Sequence, residues 1–379
     1  MKRILTVSLI SLAAVACQES TKSDVKVSSV KHSPVKRQAI GNCWLYAQST
    51  WLESLLKNTT GEDVNVSETY WTYWDLYYKL LEKQPVPEEE LNTGGTWSRS
   101  SQIIKKHGWV EEINFIANES DMVMSKSQEC AEDYIMAAGK EGGSLFDVNA
   151  RTPELVRAEL DKAFSCNGAV TFSMEEAIKK SHKAEDTMLA DVKTGEQNSL
   201  SGWLDSWREI GSPGYSTWGA YEGKKLNDES QLNAFRKVEQ RIKNALNDHQ
   251  PVVISFFVTF NAPDKDGLFN LNSLTKAGDI GSSGGHMVVL HDYTVSKVPG
   301  EFTTLGEGDM APELKEAALQ GELDYLVAKN SWGADRPDRP WLRNGYSRLT
   351  WDYLRGRYYD EKAERFSPFL RGVVLPPGY

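Results

Sequence analysis

Cysteine is scarce in this chain, which has four among 379 residues, at positions 17, 43, 130 and 166. No two of them are spaced as C-x-x-C, and the string H-E-x-x-H does not occur. Both patterns are common arrangements of zinc ligands. The sequence therefore predicts no metal site, and it gives no indication of any other cofactor.

A basic excess is missing as well. The chain has 43 Lys and Arg against 53 Asp and Glu, which gives a formal net charge of -10 at pH 7. Proteins that bind nucleic acid broadly do so through clusters of basic side chains. We therefore expect no nucleic-acid partner.

Hydrophobic runs long enough to span a membrane are also missing. The apolar stretch at residues 4–16 follows a basic start, MKR, and is shorter than the roughly 20 residues that cross a bilayer. This layout predicts a secretory signal peptide over residues 1–16. The stretch ends in LAAVAC, which is similar to a bacterial lipobox and predicts lipid attachment to Cys17, although alanine stands where leucine is usual three positions earlier. Ordinary cleavage near Ala16, without a lipid, is the alternative.

Export would decide the location of the protein and the state of its other cysteines. Residues 17–36 are rich in Ser, Lys and Val and are expected to form a flexible tether. A lipid on Cys17 would hold the protein to a membrane, at the outer membrane or facing the periplasm. Exported proteins favour disulfides, and Cys130 and Cys166 are the natural pair because they lie in one predicted helical region. Cys43 would then keep a free thiol, although sequence alone does not prove the pairing.

The spacing of apolar residues changes along the chain. Residues 65–83, with Ser67 as the N-cap, and residues 152–164 and 228–250 have helical periodicity. After Pro251, the strings PVVISFFVTF, GGHMVVLHDYTV, LDYLVAKNSWG and NGYSRLT are typical of strands. A helical first half followed by a β-rich second half predicts an α+β fold.

Cys43 raises a chemical question, because the string GNCWLYAQSTWLESLL places it where a helix begins. A helix N-terminus and a nearby imidazolium both lower the pKa of a thiol. His286 opens an apolar strand in GGHMVVL, whereas His291 lies five residues further and faces the other side of a regular strand. The asparagine of KNSWG, Asn330, could accept a hydrogen bond from the histidine and orient it. A buried structural thiol is the alternative for the cysteine taken alone.

The strings GNCWLYA, GGHMVVL and AKNSWG, in this order, resemble the papain-like cysteine peptidases. The first is more similar to the GRCW form of the bleomycin hydrolase branch, and VSETYWTYWDLYYKLLEK and GGTW also resemble segments of that branch. The resemblance covers residues 35–110 and 250–355 and leaves the middle unmatched. It implies a two-lobed papain-like fold. The predicted divisions are a helical lobe at 37–110, a long, mostly helical insertion at 111–250 and an antiparallel β-rich lobe at 251–379.

The resemblance also implies roles for the three central residues. Cys43 would be the nucleophile, His286 the general base and acid, and Asn330 the residue that orients the imidazole. Trp332 would shield the His–Asn hydrogen bond from water. No cofactor is needed for this chemistry.

Other positions of the resemblance are supporting ones. Gln38 would donate to the oxyanion together with the backbone N–H of Cys43, although it stands five residues before the cysteine and the family usually has six. Gly94 and Gly95 would lie along the cleft and offer backbone to an extended peptide.

The expected function is therefore a thiol peptidase that cleaves a peptide or protein substrate through a thioester. The ending FLRGVVLPPGY is not recognisable as the C-terminal arm of bleomycin hydrolases, which favours an endopeptidase over an aminopeptidase. The main alternative is a catalytically retired, papain-like binding lipoprotein. Acyl transfer, as in transglutaminases, is disfavoured because that family normally orients its histidine with aspartate.

Overall fold

The computed structural model describes part of the chain. The described residues are 30–87, 89–213, 229–298, 304–306, 308, 311–334, 336–339, 342, 344–360 and 364–379. The predicted signal peptide, the lipidation site at Cys17 and the first part of the predicted tether lie outside these residues. Within them, every helix is too short or too polar to cross a lipid bilayer.

Helices dominate the first half of the described chain, as the sequence predicts. The first begins at Cys43 and is closed by Gly61, whose φ of 79° places it in the left-handed region that favours glycine. The second is capped by Ser67, whose hydroxyl accepts a hydrogen bond from the backbone N–H of Tyr70. The helices are α1 (Cys43–Thr60), α2 (Glu68–Leu81), α3 (Trp97–His107), α4 (Glu112–Phe115), a 3-10 helix (Ala117–Glu119), α5 (Lys126–Ala138), α6 (Pro153–Phe164), α7 (Met174–Lys180), α8 (Leu200–Ser206), α9 (Glu229–Asn247), α10 (Leu271–Ala277), α11 (Pro312–Gln320) and α12 (Trp351–Arg355).

Strands dominate the second half. The strands are β1 (Met188–Ala190), β2 (Gln197–Ser199), β3 (Arg208–Gly211), β4 (Val253–Thr259), β5 (Leu268–Phe269), β6 (Ser283–Ser296), β7 (Thr304–Leu305), β8 (Glu322–Lys329), β9 (Tyr346–Thr350), β10 (Arg357–Asp360), β11 (Arg365–Pro368) and β12 (Leu370–Leu375). One sheet has the order β3-β12-β4-β6-β8-β9-β5, with β7 also paired to β6, while β1–β2 and β10–β11 are separate hairpins. The described pairs of the large sheet are antiparallel apart from β5–β9. The predicted α+β class, with a helical lobe and an antiparallel β-rich lobe, is confirmed.

The strand β6 belongs to both hydrophobic cores. Met287 and Val289 pack with the helices of the first core, which has Trp51 of α1 near its centre. Val288 and Leu290 pack into the second core, inside the β-rich lobe. Successive side chains of a strand point to opposite faces, so β6 lies between the two cores and contributes side chains to both.

The cores do not follow the boundary predicted at residue 250. Helix α9 contributes Phe235, Val238 and Ile242 to the core of the β-rich lobe, and β3 pairs with β12 at the edge of the large sheet. Helices α5 to α8 pack instead into the first core. Among the described residues, the segment predicted as an insertion thus divides between the two lobes. The resemblance did not cover this segment, and helical periodicity alone does not say which core a helix joins.

The cysteines are arranged as the sequence suggests. Cys130 of α5 and Cys166, just after α6, form a disulfide with a Cα–Cα distance of 5.2 Å. Cys43 is the free thiol among the described cysteines.

Residues 30–36, predicted to belong to a flexible tether, are instead packed between the lobes. Val30 is buried and its backbone N–H donates to the carbonyl of His291 at 2.9 Å. Lys36 pairs with Glu53 of α1 at 2.8 Å and with Glu68 of α2 at 2.7 Å. Burial lowers the pKa of Lys36, but the two carboxylates outweigh it and raise the pKa above its ordinary value. The composition of this segment suggests solvation, but the buried charges that hold it come from distant helices.

We expect Lys36→Met to destabilise the protein strongly, because it leaves Glu53 and Glu68 buried without their cation. The loss of unfolding free energy should be about 3–5 kcal/mol at pH 7, measured by urea unfolding. It should shrink as the pH falls, because burial raises the pKa of Glu68 and its protonation removes one of the unpaired charges.

Lys57→Met is the matched control. Lys57 lies on α1, the helix that carries Glu53, and pairs with the exposed Asp63 at 2.6 Å. Its loss should cost at most about 1 kcal/mol. Equal destabilisation by the two variants would mean that the Lys36 cluster contributes no more than a surface ion pair.

Candidate active site

The thiol of Cys43 lies at the N-terminus of α1. Asn42 precedes it, but the amide of Asn42 donates to Thr72 Oγ1 at 2.8 Å and to Gln128 Oε1 at 2.9 Å, so its side chain does not cap the helix. The first N–H groups of a helix have no partner within the helix. The backbone N–H groups of Cys43 and Trp44 therefore remain directed at the space around the thiol, where both act to lower its pKa.

Burial nevertheless controls the ionisation of this thiol. Cys43 is 8% exposed, and burial raises its pKa to about 11, against the smaller opposing effects of the backbone at Met287, Trp44 and Cys43 itself. The sequence-based expectation of a lowered pKa is therefore not met. The reason is that the spacing of residues shows the helix N-terminus but not the depth at which the sulfur lies.

The ring of His286 is held by Asn330. The ring atom Nε2 lies 2.9 Å from Oδ1 of Asn330, which directly follows β8. This oxygen also accepts the backbone N–H of Ser331 at 2.7 Å, while Nδ2 donates to Ser347 Oγ at 2.8 Å. Because a backbone N–H can only donate, the orientation of the amide is fixed, and Nε2 of His286 must carry the proton. In the neutral ring, Nδ1 is then the acceptor.

Aromatic rings enclose the same histidine. The Trp332 indole stacks on it with centroids 4.6 Å apart and planes at 20°, and Phe256 meets it edge-on at 5.7 Å. Burial lowers the pKa of His286 to about 4; the hydrogen bond to Asn330 opposes this shift and the charge of Arg339 adds to it. The imidazole is therefore neutral at pH 7.

Cys43 reaches β6 at the residue next to His286. The thiol lies at the backbone of Met287, the residue after His286, and α1 packs along this strand. The structure thus places the thiol at the residue next to His286, whose imidazole is held by an orienting amide. Among the described hydrogen bonds, none joins the sulfur to the ring.

Gln38 lies beside this group but is turned away from the predicted oxyanion position. Its backbone N–H donates to the Ser331 carbonyl at 2.8 Å, and its Oε1 accepts from Ser331 Oγ at 2.6 Å. Its Nε2, the predicted donor, binds the carbonyl of Ile40 at 2.8 Å. The residue is therefore in place, while its donor is occupied.

Gly94 and Gly95 lie in the loop before α3, next to Trp44, the residue that follows Cys43. The indole N–H of Trp44 donates to the carbonyl of Thr93 at 2.9 Å, and a Cβ at Gly95 would fall well inside van der Waals contact of the indole ring. A Cβ at Gly94 would meet only Asn92 Oδ1, at 3.7 Å. Both glycines are exposed, so their backbone is accessible beside the helix start.

His291 is not part of the group around Cys43. Its Nδ1 lies 2.9 Å from the carbonyl of Val30, and its ring contacts those of His32 and Tyr346, with centroids 5.4 and 4.9 Å away. Five residues along a strand span about 16 Å, so the two histidines of β6 lie far apart.

Two serines that fix Asn330, Ser331 and Ser347, are not among the site residues predicted from the sequence. Ser331 stands inside the KNSWG string, and its backbone N–H could have been noticed there. Ser347 comes from β9 and reaches Asn330 only because β8 pairs with β9, which no local pattern reveals.

A metal site is not found in the part of the chain that the structure describes. No group of three or more His, Cys, Asp or Glu side chains there has an arrangement that could hold a metal ion.

Comparisons with known proteins give distant structural likenesses. No protein-family model and no curated protein sequence matches the chain. Among solved structures, xylellain, a cysteine protease from Xylella fastidiosa, is 11% identical over 92% of this chain and 85% of that chain, with a TM-score of 0.38. Digestive procathepsin L 3 of the Tenebrio molitor larval midgut is 14% identical over 94% and 71%, with a TM-score of 0.39. SERA5E from Plasmodium falciparum is 15% identical over 90% and 88%, with a TM-score of 0.35. At TM-scores below 0.5, these likenesses say nothing about activity.

We expect Gly95→Ala to destabilise the protein by about 1–3 kcal/mol, because the new methyl group displaces the Trp44 indole next to Cys43. Gly94→Ala is the matched control and should change the unfolding free energy by less than about 0.5 kcal/mol. Thermal unfolding of both variants, followed by tryptophan fluorescence, measures the difference. Identical melting temperatures would show that the loop and indole are not packed as described.

Proposed function

We propose that this protein is a papain-like cysteine peptidase, with Cys43 as the nucleophile and His286 as the base. The observation that supports this most is the meeting of the Cys43 thiol with the strand of His286, whose ring is held in one tautomer by Asn330. The similarity of GNCW to the bleomycin hydrolase motif makes that branch the proposed nearest one. The substrate class is a peptide or protein.

In the proposed reaction, Nδ1 of His286 takes the thiol proton as the sulfur of Cys43 attacks the peptide carbonyl carbon. The imidazolium that forms keeps its Nε2–H bond to Oδ1 of Asn330, which stabilises the positive charge. Nδ1 then passes the proton to the leaving nitrogen as the carbon–nitrogen bond breaks, and a thioester remains. Water attacks the thioester with His286 again as the base, which releases the acid and restores the thiol.

The raised thiol pKa and the lowered histidine pKa favour proton transfer during the attack over a preformed ion pair. Substrate binding would exclude water and place the carbonyl oxygen near the N-terminus of α1. There the free N–H of Cys43 would stabilise the oxyanion. Gln38 would join it if its Nε2 exchanged the Ile40 carbonyl for the substrate oxygen.

The test is hydrolysis of a casein or fluorogenic peptide panel by the purified mature protein. We expect turnover that is abolished by Cys43→Ala, and a stoichiometric adduct of an epoxide thiol inhibitor on Cys43, identified by mass spectrometry. The value of kcat/KM should fall as the pH drops through about 4, since protonated His286 cannot act as the base. A folded protein with neither turnover nor adduct would rule the peptidase out.

The two histidines of β6 provide a sharper test. His286→Ala should lower kcat by about 100-fold or more, the scale usual for loss of a general base. His291→Ala should leave kcat nearly unchanged, because its ring contacts Val30 and Tyr346 and not the thiol. Circular dichroism must show both variants folded. A similar loss of kcat in the two would mean that the base is assigned wrongly.

One observation favours a second candidate, a catalytically retired binding protein on the same scaffold. The Nε2 of Gln38 is occupied by Ile40, and burial raises the pKa of the Cys43 thiol. Such a protein would capture a peptide without cleaving it, with an affinity unchanged by Cys43→Ala. Measurable turnover of any peptide in the panel would exclude this candidate.

A further inference from the structure

The face of the β-rich lobe that lies next to the candidate site carries an arginine. Phe257 of β4 stands opposite Gly285 of β6, and Ser255 stands opposite Met287, so these four residues share one face of the sheet. This is the face on which the backbone of Met287 meets the Cys43 thiol. Gly285 is exposed, and Ser255 and Phe257 are half-buried, so the face is open to solvent beside the thiol.

Arg371 stands at a bulge of β12 and lies on this face. Leu370 pairs with Phe256 and Gly372 pairs with Ser255, which leaves Arg371 as the extra residue of the strand. Two residues of the bulged strand oppose one residue of its partner, so Arg371 and Gly372 both stand opposite Ser255. The Arg371 side chain therefore lies on the face of Ser255 and Phe257.

The guanidinium lies across the sheet towards Gly285. It stands over the ring of Phe257, with 5.2 Å between Cζ and the ring centroid, and its Nη2 donates to the hydroxyl of Tyr358 at 2.8 Å. Its Nη1 lies 3.5 Å from the place that a Cβ of Gly285 would occupy. A Cβ at that glycine would be in ordinary van der Waals contact with the guanidinium.

Arg371 forms no ion pair with a described carboxylate, and its Nε is buried without a hydrogen-bond partner. A guanidinium offers its N–H groups as a planar fork that fits a carboxylate. The neighbours that hold it, Phe257 and Tyr358, supply no negative charge. The structure therefore presents a positioned cation without an ion-pair partner among the described residues. The Glu209 carboxylate lies on the same face, beside Gly372 and Ser255, but does not pair with it.

The distance to the thiol suits a substrate side chain. Gly285 precedes Met287 by two residues, which span about 7 Å of strand. An extended peptide advances by a similar distance over two residues. A side chain within three residues of a carbonyl held at Cys43 can therefore reach Arg371.

We propose that Arg371 is a specificity-determining residue that selects peptides with a carboxylate side chain, Asp or Glu, within three residues of the scissile bond. This inference rests on the proposed peptidase function and adds a substrate preference to it. The carboxylate would bind the guanidinium fork and supply the ion-pair partner that Arg371 does not have among the described residues.

The experiment uses matched fluorogenic peptides with Glu, Gln or Lys at each of the three positions on either side of the scissile bond. At one position, wild-type protein should show kcat/KM at least about tenfold higher for Glu than for Gln. Arg371→Gln should bring this ratio close to one, and Arg371→Glu should make Lys the preferred residue at the same position. Arg236→Gln, which removes an exposed guanidinium on α9, is the charge-matched control and should leave the ratio unchanged.

Binding of the same peptides to Cys43→Ala, measured by fluorescence anisotropy, separates this inference from the proposed reaction. Tighter binding of the Glu peptide that disappears on adding Arg371→Gln would support the inference even if wild-type protein cleaves nothing. Turnover with equal rates for Glu, Gln and Lys peptides would overturn it and leave the peptidase intact. A Glu preference that persists in Arg371→Gln, or no binding of any peptide, would also overturn it.

Discussion

The alternation of side chains along β6 is the constraint on which the rest of the site depends. One face of this strand closes the helical core through Met287 and Val289, and the other face enters the core of the β-rich lobe through Val288 and Leu290. A slip of one residue would send each of these side chains into the wrong core. The register that satisfies both cores also places the His286 ring beside Asn330 and the Met287 backbone beside the thiol.

The second requirement is that buried polar groups be satisfied, and it explains why the histidine is neutral and oriented. A backbone N–H fixes the Asn330 oxygen, and a serine hydroxyl from β9 binds the amide nitrogen. The rings of Trp332 and Phe256 keep water from this pair. The same burial that protects the hydrogen bond also opposes charge on the ring and on the sulfur. The same buried environment therefore both orients the His286 ring and keeps the ring and the Cys43 thiol uncharged.

Much of the fold and the central group could be predicted from the sequence, because the informative residues stand at element boundaries. Cys43 opens a helix, His286 lies near the start of a strand and Asn330 follows one, and local patterns show such boundaries. The rest depends on contacts between distant residues. Residues 30–36 are held because Lys36 pairs with Glu53 and Glu68, which come from distant helices. The pKa of the Cys43 thiol is raised because the sulfur is buried. The Nε2 of Gln38 is occupied because it donates to the Ile40 carbonyl. The position of Arg371 beside Phe257 and Gly285 follows from the pairing of β12 with β4, which apolar periodicity does not reveal.

The disulfide has a consequence for how the protein should be produced. Cys130 lies two residues after Gln128, whose side chain accepts a hydrogen bond from Asn42, the neighbour of Cys43. The disulfide between Cys130 and Cys166 therefore links α6 covalently to the turn of α5 whose Gln128 binds Asn42 at the start of α1. Material made in the reducing cytoplasm of an expression host would lack this covalent link. Its catalytic competence should then be judged only after oxidative refolding or secretion.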